Sequence, residues 1–132
     1  MGNPVMHFQL CAEDIDAMSA FYRQVFGWRI EPRRLTSEDA DVSGTYPTID
    51  AEDGGIAGGI TDRIPEKGGV VLVIEVDDID STVARVINLG GRMRFPEGPP
   101  ERMALSGNDA DVRFAWLEFD DPEGNLVGII QR

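Results

Sequence analysis

The sequence predicts an α+β fold built from two tandem βαβββ modules, and an internal repeat is the main reason for this prediction. Residues 7–16 (HFQLCAEDID) match residues 71–80 (VLVIEVDDID) at an offset of 64 positions. Residues 54–60 (GGIAGGI) match residues 124–130 (GNLVGII) at an offset of 70, a difference that a loop insertion absorbs at little cost. A repeated supersecondary unit indicates two packed modules with pseudo-twofold symmetry and a site where they meet. The alternative is chance similarity between two strand–helix pairs.

Each module begins with a strand and a helix. The apolar, β-branched stretches 5–12 and 70–77 have the composition of strands. The acidic pairs at 13–14 and 77–78 each offer a carboxylate to cap the N-terminus of a helix. Apolar side chains then recur at helical spacing in both segments: Ile15, Met18, Phe21, Tyr22 and Val25 in the first, and Ile79, Val83, Val86, Ile87 and Leu89 in the second.

Glycines are expected to end both helices, because glycine adopts the left-handed C-cap conformation without a side-chain penalty. These residues are Gly27 and the pair Gly90–Gly91. Three strands are expected after each helix, at 28–34, 44–50 and 55–61 in the first module and at 91–96, 113–120 and 125–131 in the second. Pro47 predicts a sheet edge or a bulge within its strand. The polar stretch 97–112 is expected to be a loop, either a flap over the site or a mobile connection.

Composition limits the fold and the partners. A chain of 132 residues with 42% hydrophobic residues forms a single domain whose two modules, 1–66 and 67–132, share a core. No membrane-spanning stretch or signal peptide is evident, and the single cysteine excludes an internal disulfide, so we expect a cytoplasmic protein. The net charge of −12 argues against nucleic acid and anionic membranes as partners. This charge is compatible with a cationic ligand or simply with an acidic surface.

The repeat and two short motifs together resemble a known family. The first motif is His7 … Asp14-Ile15-Asp16 … Phe21-Tyr22 … Phe26-Gly27-Trp28, and the second is the turn Asp121-Pro122-Glu123-Gly124-Asn125. Together they cover nearly the whole chain, which resembles the vicinal-oxygen-chelate superfamily of glyoxalase I, bleomycin-resistance proteins and extradiol dioxygenases. The nearest subgroup is the single-domain predicted enzymes related to lactoylglutathione lyase. The resemblance implies an open, curved eight-stranded half-barrel around a cleft, with helices on the convex side, and a homodimer.

The resemblance also implies four metal ligands at equivalent strand positions, and this sequence lacks three of them. His7, the only histidine, occupies the first-strand position, but its repeat mate Val71 has no donor atom. The last-strand positions are predicted to fall on Gly58 and Gly128. A divalent catalytic site needs about three protein ligands of N, O or S type. We therefore expect no metal in the cleft, and no motif implies another cofactor.

Strand alternation selects candidate ligand-binding residues. If His7 points into the cleft, Gln9 and Cys11 share its face, and Glu75 is on the matching face of the second module. We predict these four residues as polar groups of a mostly apolar pocket, with His7 as the partner of Glu75. The alternatives are a rim position for Glu75 and a structural role for the Cys11 thiol. The two last-strand glycines either deepen the pocket or permit tight packing.

Two functional classes are open at this point. The first is a metal-independent binder of a small organic molecule, as the drug-sequestering members of the superfamily are. The second is a lyase or isomerase of glyoxalase type that uses His7 or Glu75 for proton transfer, or that borrows ligands at a dimer interface. The aromatic residues Trp28, Phe114 and Trp116 are candidates for an apolar pocket wall, although aromatic residues on strands also form cores.

Overall fold

A computed structural model describes residues 2–38, 43–62, 69–96, 98–106 and 112–132. The predicted α+β class is confirmed, and all eight predicted strands and both long helices are present. The first half contains β1 (Val5–Cys11), α1 (Ile15–Phe26), β2 (Ile30–Ser37), β3 (Ser43–Ile49), α2 (Ala51–Gly54) and β4 (Ala57–Thr61). The second contains β5 (Val70–Glu75), α3 (Ile79–Asn88), β6 (Arg92–Phe95), β7 (Glu101–Ser106), β8 (Val112–Asp120) and β9 (Leu126–Gln131). No helix in the described residues is long and apolar enough to cross a membrane.

The two halves share one pairing order, as two βαβββ modules require. In the first half β1 pairs in parallel with β4, and β4, β3 and β2 follow as antiparallel neighbours. In the second half β5 pairs in parallel with β9, and β9 is antiparallel to β8. The other edge of β8 pairs with β6 and then with β7, which together take the place that β2 has in the first half.

The sheet closes on itself, whereas an open half-barrel was expected. The modules meet twice, because β1 pairs with β5 and β2 pairs with β7, both antiparallel. The described strands thus form one nine-stranded, barrel-like sheet. Strand β7 lies within the stretch 97–112 that was expected to be a loop, so that expectation is wrong for 101–106. Pairing with β2, which is distant in sequence, and with the following strand β8 gives this segment its extended structure; residues 97 and 107–111 lie outside the described residues.

Alternation along the strands separates two helix-side cores from the barrel interior. The core under α1 contains Phe8, Leu10, Ile30, Ile49 and Ile60, and the core under α3 contains Val76, Ile79, Leu117 and Ile129. The barrel interior contains the buried residues Val73, Trp116 and Ile130, with Met6, Met103 and Phe114 against them. Because the helices pack on the outer face of the sheet, the inner face can line a ligand-binding site.

The predicted helix ends hold at both ends of α1 and at the C-terminus of α3, where Gly90 is left-handed with φ of 98°, but the N-terminus of α3 differs. The Asp14 side chain accepts a hydrogen bond from the backbone N–H of Ala17 at 3.0 Å, and Gly27 is left-handed with φ of 70°. Asp78 makes no such side-chain bond. The side-chain oxygen of Gln131 instead accepts from the backbone N–H of Ile79 at 2.8 Å. The first turn of α3 is thus capped from the end of β9, which the sequence pattern did not indicate.

Two local predictions have physical explanations in the structure. In the turn at 121–125, Asp121 Oδ1 accepts from the backbone N–H groups of Glu123 and Asn125, each at 2.9 Å. These bonds hold the pKa of Asp121 below its usual value, with the Asn125 side-chain bond as the largest cause. The predicted edge at Pro47 holds only locally: β3 lies between β2 and β4 in the sheet, but its pairing with β4 covers only Thr48 and Ile49. The missing N–H of Pro47 therefore falls where β3 pairs with β2 alone.

Candidate ligand-binding cavity

The barrel interior contains a cavity of about 520 Å³ toward one end. Strands β1, β2 and β4 begin at this end, and β3, β5 and β9 finish there. The apolar part of the wall includes Met6, Val73, Met103, Phe114, Trp116 and Ile130. A volume of this size with a largely apolar wall suits a small organic molecule.

His7 is a polar group in this wall, as alternation along β1 predicts. Its Nε2 lies 2.9 Å from the hydroxyl oxygen of Tyr46 on β3. Burial lowers the pKa of His7 from 6.5 to about 4, because the charged form loses its hydration. The imidazole is therefore neutral near pH 7 and offers hydrogen bonds or a basic nitrogen, without a positive charge.

Tyr46 joins His7 to polar groups deeper in the barrel. Burial is the main reason that the pKa of Tyr46 lies well above its usual value, and the Cys11 and Glu118 side chains add to the increase. A side-chain hydrogen bond from Gln9 acts in the opposite direction, as a donor to the phenol oxygen does. Tyr46 therefore remains a protonated phenol at all moderate pH values.

The last-strand glycines are in a different register from the predicted one. The β1–β4 pairing places Gln9 opposite Gly59, and the β5–β9 pairing places Val73 opposite Gly128. Because Gln9 and Val73 are repeat mates, the mate of Gly128 is Gly59 and the prediction of Gly58 is wrong. A Cβ on Gly58 would strike the Phe8 ring on the helix side. Register depends on pairing between distant strands, and a slip of one residue reverses the face.

Both glycines are closely packed, Gly59 against the Tyr46 ring and Gly128 against the Val73 side chain. A Cβ on Gly59 would fall within the Tyr46 ring. A Cβ on Gly128 would lie 3.2 Å from Cγ2 of Val73 and 3.6 Å from Nε1 of Trp116. Of the two explanations for the last-strand glycines, tight packing therefore holds at both positions, and a deeper pocket does not.

The donor set does not fit the metal that the superfamily resemblance implies. Of the four equivalent positions only His7 has a donor side chain, since the other three are Val71, Gly59 and Gly128. The Tyr46 ring packs where a side chain at Gly59 would otherwise stand, and Val73 packs closely against Gly128. In the part of the chain that the structure describes, no three His, Cys, Asp or Glu side chains form a group that could hold a metal ion. These residues therefore do not form a metal site of the kind that the resemblance implies.

Glu75 lies at the rim of the barrel and pairs with Arg132, so the predicted pairing with His7 is wrong. Arg132 Nη2 donates to Glu75 Oε1 at 3.0 Å, and Nε donates to Oε2. This hydrogen-bonded arginine lowers the pKa of Glu75, which is ionised. Arg132 directly follows β9 and is itself part of the cavity wall. The parallel pairing of β5 with β9 brings the two side chains together.

The other predicted residues divide between the wall and its surroundings. Gln9, Phe114 and Trp116 line the cavity. Cys11 is half-buried at the far end of β1, beyond Gln9. Trp28 lies on the helix side, where its ring is 6.0 Å from that of Phe8.

Sequence reasoning missed Tyr46, Glu118 and the charged rim. Glu118 is only 2% exposed, and its parity with Phe114 and Trp116 on β8 was the signal that could have placed it inside. Tyr46 carried no such signal, because its contact with His7 spans 39 residues of sequence. The charged residues of the wall are Arg29, Glu31, Arg33, Asp50 and Arg132. Arg29 is bound to Asp53 at 2.9 Å and to Glu52 at 3.2 Å, so the rim contains both signs of charge.

The chain belongs to the glyoxalase/bleomycin resistance protein/dioxygenase superfamily, whose family model matches residues 5–129. Its fold is similar to that of a methylmalonyl-CoA epimerase in complex with methylmalonyl-CoA and NH4+, with a TM-score of 0.60 and 19% identity over 98% of this chain and 94% of that one. A hypothetical protein from Bacillus halodurans C-125 has a TM-score of 0.64 and 13% identity, with coverage of 100% and 96%.

A third similar structure is the methylmalonyl-CoA epimerase from Mycobacterium tuberculosis, with a TM-score of 0.55, 15% identity and coverage of 98% and 87%. Comparison with curated proteins gives no match. At these identities the solved structures show a shared fold, and the function has to be argued from the cavity itself.

Proposed function

We propose that this protein binds a small, largely apolar organic molecule in the barrel cavity, without a metal ion. The observation that carries the proposal is the cavity of about 520 Å³, with an apolar wall and a neutral histidine in it. Apolar walls with a few directed polar groups are the usual composition of small-molecule sites. The lack of donor atoms at three of the four metal positions does not weaken this function.

His7 and Gln9 are the proposed polar contacts inside the cavity, since both line its wall. Glu75 acts at the rim, where it orients Arg132 toward the entrance. Cys11 is left out of the proposed contacts, because it lies past Gln9 at the far end of β1. The ligand therefore meets uncharged polar groups inside and charged groups at the rim.

The test is a fragment screen by ligand-observed NMR on protein treated with a chelator. Val73 is buried on the inner face, whereas its neighbour Leu72 is 46% exposed on the outer face. We expect apolar fragments to bind, and Val73→Phe to weaken them by about tenfold or more by filling the cavity. Leu72→Phe is the matched control and should leave affinity unchanged. Absence of any hit, or binding that returns only with added Zn²⁺ or Mn²⁺, would contradict the proposal.

The second candidate is a metal-independent lyase or isomerase of glyoxalase type. The observation that favours it is a neutral imidazole in the cavity wall, since only neutral His7 can accept a proton; its lowered pKa of about 4 also makes it a weak base. The test substrates are the hemithioacetal of methylglyoxal and methylmalonyl-CoA, the ligand of the similar epimerase. Chelator-treated protein should catalyse exchange of the substrate's α-proton with D₂O, and His7→Ala should abolish this exchange. No exchange above the uncatalysed rate removes this candidate.

A further inference from the structure

The direction of the hydrogen bond between His7 and Tyr46 decides which nitrogen of the imidazole carries the proton. Neutral histidine has one N–H and one bare nitrogen, and the partner of one nitrogen decides the state of the other. The Tyr46 hydroxyl contacts Nε2, and His7 makes no other hydrogen bond in the described part of the chain. Nδ1 is therefore the ring nitrogen of His7 that remains available to bind a ligand in the cavity.

Two arrangements of the proton satisfy the 2.9 Å contact. In the first, the Tyr46 hydroxyl donates to Nε2. In the second, Nε2–H donates to the phenol oxygen, and the hydroxyl proton must find another acceptor. Gln9 acts on that oxygen as a donor, and among the described residues Tyr46 has no further hydrogen-bond partner.

The second arrangement would leave a largely buried hydroxyl proton without a protein acceptor, at a cost of about 1–3 kcal/mol where water does not replace it. Tyr46 is 9% exposed, and in the described part of the chain the one acceptor left for this proton would be water inside the cavity, whose wall includes Tyr46. The first arrangement uses every group: Gln9 donates to the Tyr46 oxygen, and Tyr46 donates to Nε2.

We propose that Tyr46 holds His7 in the tautomer with its proton on Nδ1, and that this N–H donates to a carbonyl-type oxygen of the bound molecule. Tyr46 is a positioning residue in this scheme, and His7 is the contact that selects the ligand. The site thus favours ligands that present a hydrogen-bond acceptor to His7 over those that present a donor. The ligand class rests on the proposed binding function, whereas the tautomer is a property of the protein alone.

The tautomer is measured by ¹⁵N-edited NMR of the imidazole ring, which is unambiguous because His7 is the only histidine in the chain. At neutral pH we expect a protonated Nδ1 and a bare Nε2. In Tyr46→Phe the ring over Gly59 is kept and the hydroxyl is lost, so the two tautomers should interconvert. The chain has two tyrosines, and Tyr22→Phe is the matched control because Tyr22 stacks on Trp28 on the helix side. A protonated Nε2, or an imidazolium, in the wild type would overturn the proposal.

Ligand preference is measured with acetophenone and its isostere α-methylstyrene, in which a methylene replaces the carbonyl oxygen. The ratio of their dissociation constants should shift against acetophenone by about fivefold in Tyr46→Phe, and Tyr22→Phe should leave it unchanged. An unchanged ratio in Tyr46→Phe would overturn the acceptor preference. If neither probe binds, the ligand class fails, whereas the proposed function fails only if the fragment screen gives no hit; the ring spectrum still decides the tautomer. If Tyr46→Phe does not fold, the wild-type spectrum decides alone.

Discussion

The buried imidazole of His7 makes the stability of the fold depend on pH. Its pKa is 6.5 when exposed and about 4 in the folded protein, so between these values the unfolded chain binds more protons. The contribution of His7 is therefore complete above pH 6.5 and decreases as the pH falls toward 4. Between about pH 7 and about pH 5, this loss is roughly 2 kcal/mol.

Urea unfolding of the wild type and of His7→Gln, each at both pH values, isolates this effect. The carboxylates contribute equally to both proteins and cancel in the difference. We expect the wild type to lose about 2 kcal/mol more than the variant. Equal losses in the two proteins would show that His7 is protonated as readily in the fold as in the unfolded chain.

The glycines opposite Gln9 and Val73 should differ in how well they accept a methyl group. A Cβ on Gly59 would enter the Tyr46 ring, whereas a Cβ on Gly128 would come no closer than 3.2 Å to its nearest neighbour, the Val73 side chain. We expect Gly59→Ala to destabilise the fold by about 2–3 kcal/mol and Gly128→Ala by about 1 kcal/mol. Gly44→Ala on β3 is the control, since nothing lies within 4 Å of a Cβ there.

Chemical denaturation of the three variants gives this ranking directly. Gly59→Ala and Gly44→Ala with the same midpoint would show that Tyr46 does not pack on Gly59. None of the three glycines has a positive φ, so the comparison reports on space alone.

At the residue scale, alternation along a single strand correctly predicted which side chains face the barrel interior. Their partners on other strands could not be predicted from the sequence. His7 and Gln9 face the interior because the parity of β1 is a local property. The partners of these residues are not local: Tyr46 is 39 positions from His7, and Arg132 is 57 positions from Glu75. The error of one position at Gly58 has the same origin, because the register of β1 with β4 is set by their hydrogen bonds.

At the element scale, α1 and α3 begin with the same sequence phrase and are capped by different residues. Asp14 accepts from the Ala17 backbone N–H, whereas Asp78 makes no side-chain cap bond and Gln131 binds the Ile79 backbone N–H. We therefore expect Asp14→Ala to destabilise the fold by about 1 kcal/mol. Asp78→Ala should cost less than about 0.5 kcal/mol, because it loses only a favourable charge at the helix N-terminus.

Gln131→Ala completes this comparison and should cost about 1 kcal/mol, since the first amide of α3 loses its acceptor. Thermal or urea unfolding of the three variants is the measurement. Equal effects of Asp14→Ala and Asp78→Ala would contradict the assignment of the caps.

The elements themselves were largely predictable because their signals are local. Helix ends, strand alternation and the 121–125 turn depend on residues within a few positions of each other. Strand β7 was missed because the stretch 97–112 is rich in Gly, Pro and Asp, and only Met103, Ala104 and Leu105 within 101–106 are apolar. Its structure depends on β2 and β8, to which it pairs along most of its length. The closed barrel follows from the same non-local pairing.

At the scale of the whole molecule, the two places where the modules meet should differ in stability. The β1–β5 pair includes the buried residues Phe8, Leu10, Val71 and Val73. In the β2–β7 pair, whose strands are fully described, only Ile30 is buried. Backbone hydrogen bonds with little buried packing open at lower free energy.

Hydrogen–deuterium exchange by mass spectrometry tests this difference. We expect faster exchange in peptides that cover 34–37 and 103–106 than in those that cover 7–10 and 70–73. Slower or equal exchange at the β2–β7 pair would mean that the barrel is closed equally firmly on both sides.

We propose that the protein forms a homodimer, and the balance between apolar surface and net charge makes this testable. Large apolar side chains are exposed outside the barrel, among them Phe21, Val25 and Phe26 on α1 at 54%, 55% and 59%. Exposed apolar surface favours association, but two chains of net charge −12 repel each other. Salt screens this repulsion and leaves apolar contacts in place. Light scattering at micromolar concentration should therefore show a dimer whose dissociation constant falls as salt is added. A monomer at both low and high salt would contradict the proposal, and a dimer that dissociates in salt would show that charge pairs hold it together.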